Sequence, residues 1–267
     1  MKQRSKLLFG NWKMNFTVAQ ASAFAKKLAA KPIPKGVTVA IFPHSLALSD
    51  IATTVHRTGL KVGAQNAYYQ DEGAFTGEIS MPMLKNLASY VLVGHSERRH
   101  VFGETNEQTR LKVAAAIRVG ITPVLCIGET LLERQQLHTK QVLTDQLLTG
   151  LSNLTDEEAA KVIVAYEPVW AISQGKDFSK HKGATPDDAA VAQAVIRKNL
   201  KEMYGEVCAQ STQILYGGSA KSDNTAAFLQ TEGIDGLLPG GASLSMATFW
   251  PMVEVASQLV ATKIEVN

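Results

Sequence analysis

Eight short apolar runs alternate with eight amphipathic stretches along this chain, and that alternation limits its fold more than any other feature. The strand-like runs are Leu7–Asn11, Val37–Phe42, Leu60–Gln65, Tyr90–Val93, Thr122–Ile127, Val162–Glu167, Gln213–Tyr216 and Gly236–Leu238. The helical patterns are Val18–Lys31, Leu46–Arg57, Pro82–Leu87, Thr105–Val119, Lys140–Leu151, Pro186–Tyr204, Asp223–Gln230 and Leu244–Thr262. Near-continuous β-branched runs mark strands buried on both faces. Parallel strands need crossover connections, and the alternating helices supply them. Eight such units predict a (β/α)8 barrel. An open doubly wound sheet competes, but no G-x-G-x-x-G follows the first run.

The 267 residues, 45% hydrophobic and 19% charged, suffice for one large α/β barrel or two small domains. No linker or shift in composition divides them, so a single domain over 1–267 is expected. The net charge of +3 is small and scattered. No basic stripe with interleaved aromatics exists, which argues against nucleic acid, while an anionic small substrate is compatible with the charge. Cys126 and Cys208 form no CxxC and no disulfide framework, as expected in a reducing cytoplasm. Met1–Phe9 is charged and lacks a signal-peptide apolar core, and no run approaches a membrane span. A cytoplasmic protein without a membrane partner is expected.

The run from Val162 ends on one carboxylate, Glu167, and Pro168 forbids further regular pairing. Pro168, Val169, Trp170, Ala171 and Ile172 are too apolar for an ordinary solvated loop, and Ser173, Gln174, Gly175 and Lys176 follow. An acid at a strand end beside a greasy, glycine-containing loop reads as a base under a lid. The plainer reading is a solvated glutamate capping a strand, with Trp170 packed. Thr185, Pro186, Asp187 and Asp188 carry the cap, first-turn proline and acids of a helix start, so the lid region ends by Thr185. The lysine-rich stretch between reads as a surface excursion.

Polar residues at the C-terminal ends of barrel strands are the catalytic candidates. They are Gly10-Asn11-Trp12-Lys13, Gly94-His95-Ser96-Glu97-Arg98-Arg99, Glu167, Tyr216-Gly217-Gly218-Ser219 and Pro239-Gly240-Gly241-Ala242-Ser243. With Gly63-Ala64-Gln65-Asn66, Gly77-Glu78-Ile79-Ser80, Cys126-Ile127-Gly128-Glu129-Thr130 and the segment Ala165–Ile172, these blocks fall in order along the whole chain. In that order they resemble the triosephosphate isomerases, whose fold is the (β/α)8 TIM barrel.

The resemblance implies an aldose–ketose isomerase of glycolysis and gluconeogenesis. It interconverts glycerone phosphate (dihydroxyacetone phosphate) and D-glyceraldehyde 3-phosphate through an enediolate, with no metal and no cofactor. Glu167 would be the base and His95 the electrophile and proton shuttle, kept neutral by a helix start. Lys13 and Asn11 would stabilise the enediolate oxygen, such donors being worth about 3–4 kcal/mol each. Glu97 would position Lys13, or serve as an arginine's ion-pair partner. Gly175, Ser219, Gly240 and Gly241 would offer backbone donors to the phosphate, together with Asn11 and Lys13. The loop carrying Phe75, Thr76, Gly77 and Glu78 would enter a second subunit beside its Asn11 and Lys13, giving a homodimer.

The sequence leaves the family pattern at three places. Ser173 and Gln174 stand where glycine and threonine are usual, and the excursion through His181 and Lys182 is about six residues longer than usual. Pro239 replaces a β-branched or small apolar residue. The competing functions are an isomerase of a four-carbon ketose phosphate such as erythrulose phosphate, a Schiff-base aldolase, a metal-dependent hydrolase and a retired barrel used for binding. Strands six and seven hold no lysine for a Schiff base, and the strand ends hold no His/Asp cluster for a metal.

Overall fold

The computed structural model describes residues 4–172 and 183–265. Ser173, Gln174, Gly175 and Lys176 of the expected lid, and most of the excursion beyond them, lie outside the described residues.

Eight parallel strands close a barrel in sequence order. They are β1 (Lys6–Asn11), β2 (Val37–Phe42), β3 (Lys61–Ala64), β4 (Tyr90–Val93), β5 (Thr122–Ile127), β6 (Ile163–Tyr166), β7 (Ile214–Tyr216) and β8 (Gly236–Leu237). The ring closes where Leu7 and Leu8 of β1 pair with Gly236 and Leu237 of β8. Alternate side chains divide between two buried layers, as the period of two requires. Leu7, Phe9, Ala40, Phe42, Leu92, Val124, Cys126, Ala165 and Leu215 pack together inside the barrel. Leu8, Val39, Ile41, Val91, Leu125, Val164 and Ile214 pack outward against the helices. Both faces are covered, which is why the strands read as unbroken apolar runs.

The helices are α1 (Val18–Ala29), α2 (Ser45–Thr54), α3 (Met81–Leu84), α4 (Ser96–His100), α5 (Asn106–Val119), α6 (Leu131–Gln135), α7 (Thr139–Leu151), α8 (Asp156–Ala159), α9 (Pro186–Ser211), α10 (Thr225–Gln230) and α11 (Met246–Glu265). The expected helix at Pro186–Tyr204 runs on to Ser211 and is broken at Gly205, whose φ of 80° and ψ of 174° are not helical. The last helix starts at Met246 rather than Leu244, because Gly241–Leu244 forms a 3-10 turn. α6 and α8 have no counterpart in the hydrophobic pattern, being one turn each. Glu167 falls one residue past β6, yet its amide still donates to the Ile127 carbonyl at 2.7 Å.

Cys126 and Cys208 are free, buried thiols. Among the described residues, no helix is long and apolar enough to cross a membrane.

Candidate active site

At the C-terminal ends of the strands lies a cavity of about 460 Å³, lined among others by Asn11, Lys13, His95, Ile172, Ser219, Leu238, Gly240 and Gly241. Asn11 closes β1, and its Oδ1 accepts the Lys13 amide at 2.9 Å. That bond holds Lys13 in a left-handed conformation, φ 51°, which is uncommon for a side-chain-bearing residue. Gln65 secures the turn from the other side, donating to the Lys13 carbonyl at 2.7 Å and to the Phe42 carbonyl at 2.8 Å. Lys13 Nζ then reaches Glu97 Oε1 at 2.7 Å.

His95 caps α4. Its Nδ1 accepts the Glu97 amide at 3.2 Å, so the ring hydrogen sits on Nε2. Nε2 lies 3.2 Å from Glu167 Oε1. The Ser96 amide donates to Glu167 Oε2 at 2.9 Å. Glu167 is only 2% exposed, so both carboxylate oxygens find partners in a nearly dry site. Ile172 and Leu238 line the neighbouring cavity, while the Glu167 carboxylate is turned to Ser96 and His95.

Gly217 backs this acid. A Cβ there would lie 2.8 Å from the Glu167 Cγ, so only glycine lets the loop after β7 pass so close. Ser219, two residues on, donates its hydroxyl to the Ala171 carbonyl and ties that loop to the segment after Glu167. Pro239 costs the barrel no ladder bond: it follows β8, and its carbonyl accepts the Asn11 amide at 2.9 Å.

The segment after Glu167 holds a cluster that the sequence did not reveal. Glu129 has no exposed surface, and it accepts the Trp170 indole N–H at 2.9 Å and the Tyr166 hydroxyl at 3.2 Å. Burial pushes the Glu129 carboxyl up, against the pull of the Trp170 donor. Arg134 stacks over the Trp170 ring, 4.1 Å from its centroid, and pairs with Asp188 at 2.7 Å. The visible signal was Glu129 in a matched block, with no partner legible 41 residues away.

A second cleft, about 290 Å³, is lined by Pro43, His44, Gln65, Gly77, Glu78 and Arg98 among others. Thr76 is exposed and Phe75 is 39% exposed, its ring 4.7 Å from that of Tyr68.

A family model described as triosephosphate isomerase matches residues 6–256. The chain belongs to the triosephosphate isomerase family. A triosephosphate isomerase of Chlamydia muridarum is 46% identical over 251 residues, covering 92% of this chain and 90% of its own length. That of Chlorobaculum tepidum is 43% identical over 252 residues, 93% of this chain and all of its own. That of Carboxydothermus hydrogenoformans is 42% identical over 254 residues, 94% and 98%. By membership of the triosephosphate isomerase family the chain is an enzyme, an isomerase of triose phosphates. The four-carbon and retired-barrel alternatives are not favoured.

Proposed function

We propose that this cavity interconverts glycerone phosphate and D-glyceraldehyde 3-phosphate with Glu167 as the base, His95 as the electrophile and Lys13 as the fixed cation. Glu167 removes a proton from the hydroxymethyl carbon. The C–H electron pair forms the carbon–carbon double bond, and the carbonyl pair moves onto oxygen. His95 Nε2–H and Lys13 Nζ meet that developing charge, where preorganised donors act most strongly. The proton returns from Glu167 to the neighbouring carbon, and the hydroxyl proton passes between the oxygens by way of His95. Glu97 holds Lys13, and Asn11 supplies a further amide donor. Ser219, Gly240 and Gly241 offer backbone N–H groups to the phosphate, with Gly175 of the lid as a fourth donor.

The observation that carries this reading is the 3.2 Å contact between His95 Nε2 and Glu167 Oε1 at the edge of the cavity that Lys13 lines. Glu167→Gln is expected to lower turnover in a coupled isomerase assay by orders of magnitude. Its binding of inorganic phosphate should stay near that of the unaltered protein. Full activity in that variant would remove Glu167 from the reaction.

The whole chain, 1–267, is one catalytic barrel in this reading, and it works as a homodimer in the cytoplasm. Exposed apolar residues support the dimer: Met14 follows β1, Leu46 follows β2, Met83 follows β3, and Phe102 follows β4. These strands are neighbours, so their loops share one side of the barrel mouth. The cleft lined by Gln65 is the seat for the partner's Phe75–Thr76 loop, which would buttress Lys13 through Gln65. The two free thiols suit a reducing compartment.

A further inference from the structure

Ser243 carries a hydroxyl that the proposed reaction does not use. It has no exposed surface and lies behind the glycines that line the cavity. Its backbone amide donates to the Gly240 carbonyl at 2.8 Å. Its Oγ lies 2.6 Å from the same oxygen and 3.4 Å from the Asn11 carbonyl. A serine hydroxyl has one hydrogen to donate, and the shorter contact takes it. Gly240 O therefore accepts from both the amide and the side chain of one buried residue.

The consequence follows from peptide geometry. A trans peptide unit is planar, and its C=O and N–H point in opposite directions. Gly240 C=O and Gly241 N–H belong to the same unit. Turning the oxygen inward to Ser243 turns the N–H outward, on the exposed residue that lines the cavity. A unit between two glycines has no Cβ on either side to hold its orientation. If it rotated, a carbonyl oxygen would face a phosphate dianion in place of a donor.

The strand wall is shaped to admit this serine. A Cβ on Gly10 would lie 2.8 Å from Ser243 Cβ and 3.3 Å from the Phe249 ring. This accounts for a glycine near the end of β1, directly after the large Leu8 and Phe9.

We propose that Ser243 is a positioning residue of the phosphate cradle, fixing the Gly240–Gly241 peptide so that the Gly241 amide faces the ligand. This rests on the reading of the cavity as a triose phosphate site.

The test compares the unaltered protein with Ser243→Ala and with Ser243→Cys, which keeps the shape but donates weakly. Three quantities are measured: inhibition by inorganic phosphate, turnover of D-glyceraldehyde 3-phosphate, and proton exchange in D2O on D-glyceraldehyde, which lacks the phosphoryl group. Both variants should raise the phosphate inhibition constant and KM about five- to tenfold, as expected for one lost buried hydrogen bond. Exchange on D-glyceraldehyde should stay within about twofold, because the truncated molecule never meets the cradle. An unchanged phosphate constant in both variants overturns the proposal. So does an equal loss on both substrates, which would mark a disturbance of the barrel as a whole. If Ser243→Ala does not fold, the cysteine variant decides alone on the same three measurements. A failure of the functional reading looks different: the unaltered protein itself would not turn over the triose phosphate.

Discussion

Ser96 donates its backbone amide to Glu167 Oε2 at 2.9 Å, while His95, the residue before it, holds Oε1 at 3.2 Å. The proposed base is thus bonded by two successive residues at the start of α4. In the proposed reaction, a substrate seated in the cavity exchanges these bonds for its own before the carboxylate reaches carbon.

The close approach of Gly217 to Glu167 leaves no space for a side chain. In Gly217→Ala the new Cβ would lie 2.8 Å from Glu167 Cγ and 3.4 Å from the Tyr166 carbonyl, so the acid must shift. Turnover should fall about 10- to 100-fold, since small displacements of a reacting group are costly. Steady-state kinetics with thermal melting separates this from unfolding. Full turnover would show that the acid does not depend on that wall.

Glu104 anchors the backbone just before His95. It accepts from Gly94 N at 3.0 Å, Arg98 Nε at 3.2 Å and Lys112 Nζ at 2.6 Å. Burial pushes its carboxyl up, but Lys112 and Arg98 outweigh that and hold it below the usual value. Burial lowers Lys112 in turn, against the pull of Glu104. The ordinary gap between lysine and carboxylate still leaves the pair ionised at neutral pH. A depressed acid contributes stability above its unfolded value of about 4.3, and that contribution is lost as pH falls through the folded value. Glu104→Gln should cost about 3 kcal/mol at neutral pH. Its melting temperature should also vary less than the parent's between neutral pH and the acid range. Parallel curves for the two proteins would remove Glu104 as the source of acid sensitivity.

Leu137 combines a left-handed backbone, φ 61°, with 89% exposure. A branched side chain is strained there and gains almost nothing from burial. Leu137→Gly should therefore stabilise the protein by about 1 kcal/mol in chemical denaturation, with activity unchanged. A loss of stability would mean that the leucine has contacts outside a single copy of the chain.

Phe75 sits at the tip of the loop proposed to enter a second copy. Phe75→Asp removes the ring's apolar contact and puts a charge in its place, and should weaken self-association about 100-fold or more. Sedimentation of both proteins over a range of concentrations checks it. If the parent sediments as a single chain throughout, the dimer reading fails before the variant is considered.

Much of the architecture could be read from side-chain character alone. The inner and outer faces of each strand are both apolar in the sequence, and the barrel buries both. The one-turn helices α6 and α8 escaped because a single turn has no periodicity to detect. Their capping boxes were nevertheless present, at Thr130 with Glu133 and at Thr155 with Glu158. The helical pattern from Pro186 ends at Tyr204, and the backbone does leave helical geometry at the next residue, Gly205; the further turns to Ser211 had no legible signal.

The candidate site divides in the same way. Asn11, Lys13, His95, Glu97, Glu167, Ser219, Gly240 and Gly241 were identifiable because strand ends and matched blocks are properties of the chain's order. Apart from the Lys13–Glu97 pair that the resemblance implied, their partners were not. Glu167 meets Ser96 across 71 residues, and Trp170 meets Glu129 across 41. Gln65 supports Lys13 from 52 residues away. Order along the chain fixes which groups arrive at the mouth of a barrel, because each strand delivers its own end there. Distances and hydrogen-bond directions arise only when the ring closes, since closure alone brings β1 beside β8 and sets what each carboxylate, amide and hydroxyl can reach.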